Sequence, residues 1–407
     1  VALLLVVLSL FAAHKSLAVE LAGSSVNASS IPMSLETLRM PQLTQGTPTV
    51  LLKSGSSSSS IPQGTILHTS DPVSGFTINI NAGPTLAAMP DALAAFQRAA
   101  QQWTSRFSNP ITVTIDADMA NLGTGGIIGS TGSFMLQGGY TSIRDQVVAS
   151  AAAEGSSNAI VAALPNVSQF QVSVPTGYTL NGDLYSTKAN LKALGYTGLD
   201  EAFGVSDAQI QFNTLFPFTY NNKTGVAPMT IDFESTAAHE IGHALGFISS
   251  VDDLDYAMKD KVTGAFSPTI LDLFRFASAG ADHPTTVSDF TTFPRELAPG
   301  YEESTIGSVN LSGGLLSDSE YAMSTGYNTG DGRQASHWKD NGITGQYVGL
   351  MNPTIGYGEI HPITDADIRA LDLIGYTPVP EPGFFILIGS GLAGWIFVSR
   401  QRGRSVQ

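Results

Sequence analysis

The stretch TAAHEIGHALGFISS, Thr236 to Ser250, decides how this chain is read. His239 and His243 are four residues apart, which on an α-helix separates them by about 40° around the axis, so both imidazoles project from one face. Glu240 stands beside that face and can reach a water at a metal without binding the metal itself. A carboxylate so placed can take a proton from water whose pKa zinc lowers towards about 7, then deliver it to a leaving amine. Gly246 is suited to end the helix, because glycine readily takes the left-handed conformation that closes one, and it lets the chain turn under the metal. A catalytic zinc has three protein ligands, and Ser249, where a third histidine is expected, is a poor one. The third ligand must therefore come from another part of the chain.

Seven histidines are present. His14 lies in the N-terminal apolar run and His68 in a Ser-rich region, which leaves His283, His337 and His361. In ASHWKDNGITGQYVGLMNP, His337 is followed by Trp338, and Met351 stands in Gly349-Leu350-Met351-Asn352-Pro353. The helical motif from His239 to Phe247 resembles the metzincin zinc peptidases, departing from their commonest form at Ser249. The pair His337-Trp338 and Leu350-Met351 is similar to their leishmanolysin-like branch, in which a long insertion separates the helical histidines from the third ligand. The resemblance covers Thr236 to Pro353 by motif. It implies an α+β, zincin-like fold: a mixed sheet, an active-site helix and an irregular C-terminal subdomain. It also implies Zn2+ on His239, His243 and His337, Glu240 as the catalytic carboxylate, Gly246 as the turn, Met351 as the floor beneath the metal, and proteins or peptides as substrates.

The residues leave other arrangements open. His283 and His361 sit among turn residues, where histidine is more often a packing or surface group. A glutamate ligand, as in thermolysin-like enzymes, is available from Glu296, Glu302 or Glu303, although Gly246 and LMNP have no role in that scheme. Tyr347 and Tyr357 flank Met351 and are candidate donors to an oxyanion. Asp232 is either an orienting acceptor for a ligand or polar punctuation before the helix. Asp252, Asp253 and Asp255 read as a solvated loop, with calcium as the alternative. The rival to a secreted zinc metalloendopeptidase is a surface or extracellular-matrix binding protein that keeps the fold without turnover; the intact Glu240 speaks against it.

The two ends carry addresses. Residues 1–18 form an apolar run ending in Ser16-Leu17-Ala18 and read as a secretory signal peptide. At the other end, Val379-Pro380-Glu381-Pro382 precedes an apolar stretch, 383–398, and then Arg400, Arg402 and Arg404. The stretch is shorter than the roughly 20 residues of a full membrane span, and the arginines favour the cytoplasmic side. This arrangement, residues 379–407, resembles the PEP-CTERM sorting signal of Gram-negative bacteria. It implies transient membrane anchoring, an exosortase-type processing enzyme, and delivery to the envelope, surface matrix or medium.

With 407 residues and 43% hydrophobic composition, the chain is long enough for one large domain. It contains no cysteine, which excludes disulfides, thiol catalysis and thiolate ligands. The formal charge of -15 argues against nucleic acid as a partner. Residues 19–74, with the run Lys53 to Gly64, read as a linker or pro-segment. The peptidase domain is placed at 75–378, its N-terminal part reaching about 247 and its C-terminal part covering 248–378. Alternation predicts strands at Gly75 to Ile80, Asn109 to Ala117, Asp207 to Phe216 and Pro228 to Phe233, and helical spacing predicts a helix over Met89 to Ser108. Ser235 or Thr236 is the expected cap of the motif helix, and Thr364 with Asp367 the expected capping box of a last helix.

Overall fold

In the computed structural model, which describes residues 33–38, 66–70, 75–153, 158–278, 282–300, 304–306 and 321–379, one seven-stranded sheet organises the chain. Its strands are β1 (Met33–Leu38), β2 (Ile66–Ser70), β3 (Thr77–Ala82), β4 (Thr112–Ala120), β5 (Ile127–Ser133), β6 (Ala208–Asn213) and β7 (Thr354–Ile355). Their spatial order is β7-β1-β5-β6-β4-β3-β2. The pairs β3 with β4, β4 with β6 and β1 with β5 are parallel; β5 with β6, β2 with β3 and β1 with β7 are antiparallel. The sheet is thus mixed, and the whole is a mixed α/β structure with several smaller two- and three-stranded sheets around it.

Two of these strands lie within 19–74, the stretch read as a linker or pro-segment. Both β1 and β2 are hydrogen-bonded into the sheet. Composition averages over a long window, whereas a short segment becomes a strand when a neighbouring edge offers it partners. Residues 1–18, expected to be a signal peptide, the rest of 19–74 and the apolar 383–398 lie outside the described residues. No helix among the described residues is long and apolar enough to cross a membrane.

The alternation in β3 and β4 buries Ile78, Ile80, Val113, Ile115 and Ala117. Helix α1 (Pro90–Thr104) starts on a proline at its first turn, where no backbone N–H is needed, and turns Phe96, Ala100 and Trp103 inward. Each Ile or Phe so buried contributes about 1.5–3 kcal/mol, so the whole face holds the helix. Beside it runs α2 (Phe233–Leu245), the motif helix, packed against α1, β5 and β1. All its residues are buried, and Trp103 Nε1 donates to Ala238 O at 2.8 Å. Its cap is Asp232, which accepts the Ser235 N–H at 2.9 Å, so the helix starts earlier than a Ser235 or Thr236 cap would allow. Its end is Gly246, at φ 123, where an added Cβ would stand 2.9 Å from Ile374 Cδ1; both conformation and space call for glycine.

Beyond α2 the chain forms α3 (Val251–Lys259), short sheets and long loops, then returns as α4 (Asp365–Leu373). The predicted capping box of Thr364 and Asp367 is present at the start of α4. After it, Tyr376 Oη donates to Leu245 O at 2.8 Å, tying the end of the described chain to the end of the motif helix.

Candidate metal centre

Three imidazoles from two distant places in the chain meet at one point. His239 Nε2 and His243 Nε2 are 3.0 Å apart, and His337 Nε2 is 3.2 Å from each. Among the described residues these are the histidines and carboxylates whose ligand atoms converge as a group of three. The opposite nitrogens all lie on carbonyl oxygens. His239 Nδ1 is 2.8 Å from Leu350 O, His243 Nδ1 is 2.8 Å from Phe247 O, and His337 Nδ1 is 3.2 Å from Gln334 O. A carbonyl only accepts, so each Nδ1 carries the hydrogen and each neutral ring turns an Nε2 lone pair inward. Burial pushes His337 down to about 4 and His239 well below its ordinary value, which keeps both neutral at pH 7. Zinc–nitrogen bonds of about 2.0–2.1 Å at a tetrahedral angle place ligand nitrogens about 3.3 Å apart, so this donor set fits such an ion.

His337 reaches this point because its loop is clamped. Asp252 on α3 accepts the Ala335 and Ser336 N–H groups and the Ser336 hydroxyl. Ser249 donates its N–H to Ser336 Oγ at 2.9 Å and its hydroxyl to Asp272. The residue standing where a third histidine is expected therefore helps hold the loop that brings one. Asp252 and Asp255 are buried in the structure, not part of a solvated loop; Asp255 accepts the Asn328 and Thr329 N–H groups. Sequence alone missed these clamps. The signal available to it was only a cluster of acidic residues just beyond the motif helix.

Met351 and Glu240 complete the surroundings. A Cβ on Gly242 would collide with Met351 Sδ, so the glycine inside HEIGH makes room for the methionine under the helix. The Leu350 and Met351 N–H groups and Trp338 Nε1 all donate to Asp367, at 2.7, 3.2 and 2.7 Å. Asp367 is 0% exposed, and burial raises its pKa against those donors. Beyond the capping box it thus orders the turn whose Leu350 carbonyl receives the His239 N–H. Glu240 lies against β5: Thr131 Oγ1 donates to Glu240 Oε2 at 2.5 Å, and a Cβ on Gly129 would stand 2.6 Å from Oε1. Neither Thr131 nor Gly129 stands out in the sequence.

The remaining candidates are elsewhere. His283 Nδ1 pairs with Ala277 O at 3.0 Å and is outside the group. The His361 ring packs at a tilt against Tyr347, centroids 4.8 Å apart, and its backbone N–H donates to Ser235 Oγ. Glu296 is a buried strand residue that accepts the Ala298 N–H, away from the triad; Glu302 and Glu303 lie outside the described residues. The Tyr347 hydroxyl donates to Pro362 O at 2.9 Å. Tyr357 packs beside Ile128, Ile231 and Ile355. Asp232 serves as helix cap.

Residues 378–402 match the PEP-CTERM protein-sorting motif. The chain thus carries the signal read by an exosortase-type sorting enzyme, which directs export to the envelope or surface of Gram-negative bacteria. The match covers the tail alone. No curated protein and no solved structure matches the chain significantly.

Two outcomes check this centre. His337→Ala is expected to weaken metal binding by more than about 100-fold, beyond what loss of a ligand's outer partner costs, whereas His283→Ala leaves it unchanged. Metal titration of both variants decides, and the reverse pattern reassigns the ligand. The second concerns pH. In the metal-free protein folded His337 stays neutral to about pH 4, while the unfolded residue protonates below 6.5. The unfolded chain binds more protons in that window, so stability is full above about 6.5 and falls as pH drops towards 4, by about 3 kcal/mol from this residue alone. Urea denaturation of chelator-treated protein at pH 7.5 and 4.5 measures it; equal stabilities at the two pH values would contradict the burial argument.

Proposed function

We propose that this chain is an exported zinc-dependent metalloendopeptidase of the leishmanolysin-like metzincin branch, with a zincin-like fold, acting on proteins or peptides. The observation that carries the reading is the convergence of three neutral Nε2 atoms, from His239, His243 and His337, beside Glu240. Zinc bound there would supply Lewis acidity, polarising a scissile carbonyl and lowering the pKa of water. Everything else falls to the chain's own residues. The three histidines hold the ion, their orientation set by the carbonyls of Leu350, Phe247 and Gln334. Glu240, aligned by Thr131, takes the proton of the attacking water and passes it to the leaving amine. Met351 forms the floor, and the Asp367 carboxylate keeps it in register.

A second reading keeps one supporting observation. The three histidines and Glu240 are all 0% exposed, which a purely structural metal site in a surface-matrix protein would share. Activity separates the two. Residues 19–382, and a chain started at residue 63 so as to keep β2, are loaded with zinc and given an unfolded protein substrate. About one zinc per chain, with hydrolysis by at least one of the two forms, is the expected result. Folded, zinc-loaded protein that cleaves nothing in either form would favour the matrix-protein reading.

A further inference from the structure

The sorting motif does not begin beyond the folded body. It matches from residue 378, and Pro378 and Val379 are half-buried parts of the structure. There the chain runs antiparallel to the segment that follows α1. The Ser108 N–H donates to Thr377 O and the Val379 N–H to Arg106 O, each at 2.8 Å, with Phe107 opposite Pro378. Buried Asn109 fastens this pairing from one end: its Oδ1 accepts the Thr377 N–H at 2.8 Å and its Nδ2 donates to Gly375 O at 3.1 Å. At Tyr376 the anchorage becomes much deeper. Its side chain is fully buried, its ring lies against Phe76 and Phe107, and its hydroxyl holds Leu245 O.

We propose that residues 377–379 are a latch on the sorting signal. The exosortase-type enzyme takes the motif only when these three residues peel away from 106–109, while Tyr376 stays in the core and keeps the body folded. A chain entering a processing site is extended, with its backbone donors and acceptors turned to the enzyme. Those of Thr377 and Val379 are already paired with the body. Reach points the same way. The apolar stretch of the signal starts at Gly383, four residues after Val379, and four residues span at most about 14 Å. Release of 377–379 lengthens the free connection to seven residues from Tyr376, up to about 25 Å, which gives a membrane-bound enzyme room to work. None of the three side chains is fully buried, and a short hydrogen-bonded segment of that kind opens locally while the global fold holds. Sorting then follows folding with a delay set by the latch. The motif helix is left undisturbed, because its Leu245 carbonyl is held by Tyr376 and not by the latch. None of this depends on whether the body cleaves peptides.

The test uses the full chain, produced in a Gram-negative host that carries an exosortase-type enzyme, and follows loss of the tail by pulse-chase and mass. Two variants free the motif in different ways. Asn109→Ala removes the partners of the Thr377 N–H and the Gly375 carbonyl, and should raise the processing rate by about 10-fold, as the loss of two hydrogen bonds implies. In the second, six Gly/Ser residues and a repeat of Pro-Val are inserted after Val379, so the latch stays shut but a whole motif lies beyond it. This chain should be processed at least as fast as Asn109→Ala, and adding Asn109→Ala to it should change nothing further. Thermal unfolding of the purified proteins shows which are folded; where Asn109→Ala is not, the inserted chain decides alone. An inserted chain processed no faster than the original, whether both are cut or neither is, overturns the latch. A folded Asn109→Ala chain that keeps the original rate overturns it too. So does a further acceleration when the substitution is added to the inserted chain, since Asn109→Ala would then act by loosening the whole body and not by freeing the motif.

Discussion

Glu240→Gln is expected to lower peptide hydrolysis by about 10²–10⁴-fold, the range that a positioned general acid–base contributes, while about one metal ion per chain stays bound. The substitution keeps the size of the side chain and its place beside Thr131 but removes the basic oxygen. The three imidazoles keep their carbonyl partners, Leu350 O, Phe247 O and Gln334 O, none of which the substitution alters. Rate and metal content measured on the same preparation separate the roles: activity should fall and zinc remain. A variant that loses zinc as well would place Glu240 in the ligand set. One that keeps full activity would remove it from the chemistry.

Asp367→Ala is the second substitution with a large expected effect. The carboxylate is 0% exposed and accepts from Trp338 Nε1 and from the Leu350, Met351 and Thr364 N–H groups. Each buried donor left without a partner costs about 1–3 kcal/mol, and partial relaxation brings the expected total to about 3–5 kcal/mol. Loss of the turn also loosens the Leu350 carbonyl that fixes the His239 tautomer, so metal affinity should fall by about 10–100-fold. Asp365→Ala, on the exposed side of the same first turn, is the control and should change stability by no more than about 1 kcal/mol. Denaturant unfolding with metal titration on both variants tests the assignment. Equal behaviour of the two would mean that Asp367 only caps α4.

What could be read in advance depended on distance along the chain. Strand alternation over 75–80, the helical spacing of Phe96, Ala100 and Trp103, and the Gly246 stop are local patterns, and the structure places elements there with boundaries moved by a few residues. The cap of α2 was misplaced because Asp232, Ser235 and Thr236 are all good caps, and only backbone geometry chooses among them. β1 was missed because six ordinary residues in a Ser-rich segment carry no strand signal until β5 and β7 lie on either side of them. Asp252 looked like a solvated acid for a similar reason. Its partners, Ala335 and Ser336, are far away in sequence.

By itself the sequence determined the parts of this protein that one local segment can encode. These are the pair His239 and His243 with Glu240 on a single helix, where a spacing of four fixes their common direction, and the linear sorting motif at 378–402. For the third imidazole it offered a candidate but could not bring it to the pair. The tertiary structure did that. Asp252 and Ser249 hold the His337 loop, Asp367 holds the Met351 turn, and the three Nε2 atoms close to 3.0–3.2 Å. The physical reason is that each of these contacts is a buried polar group satisfied by a partner distant in sequence, and such pairings exist only once the chain has folded.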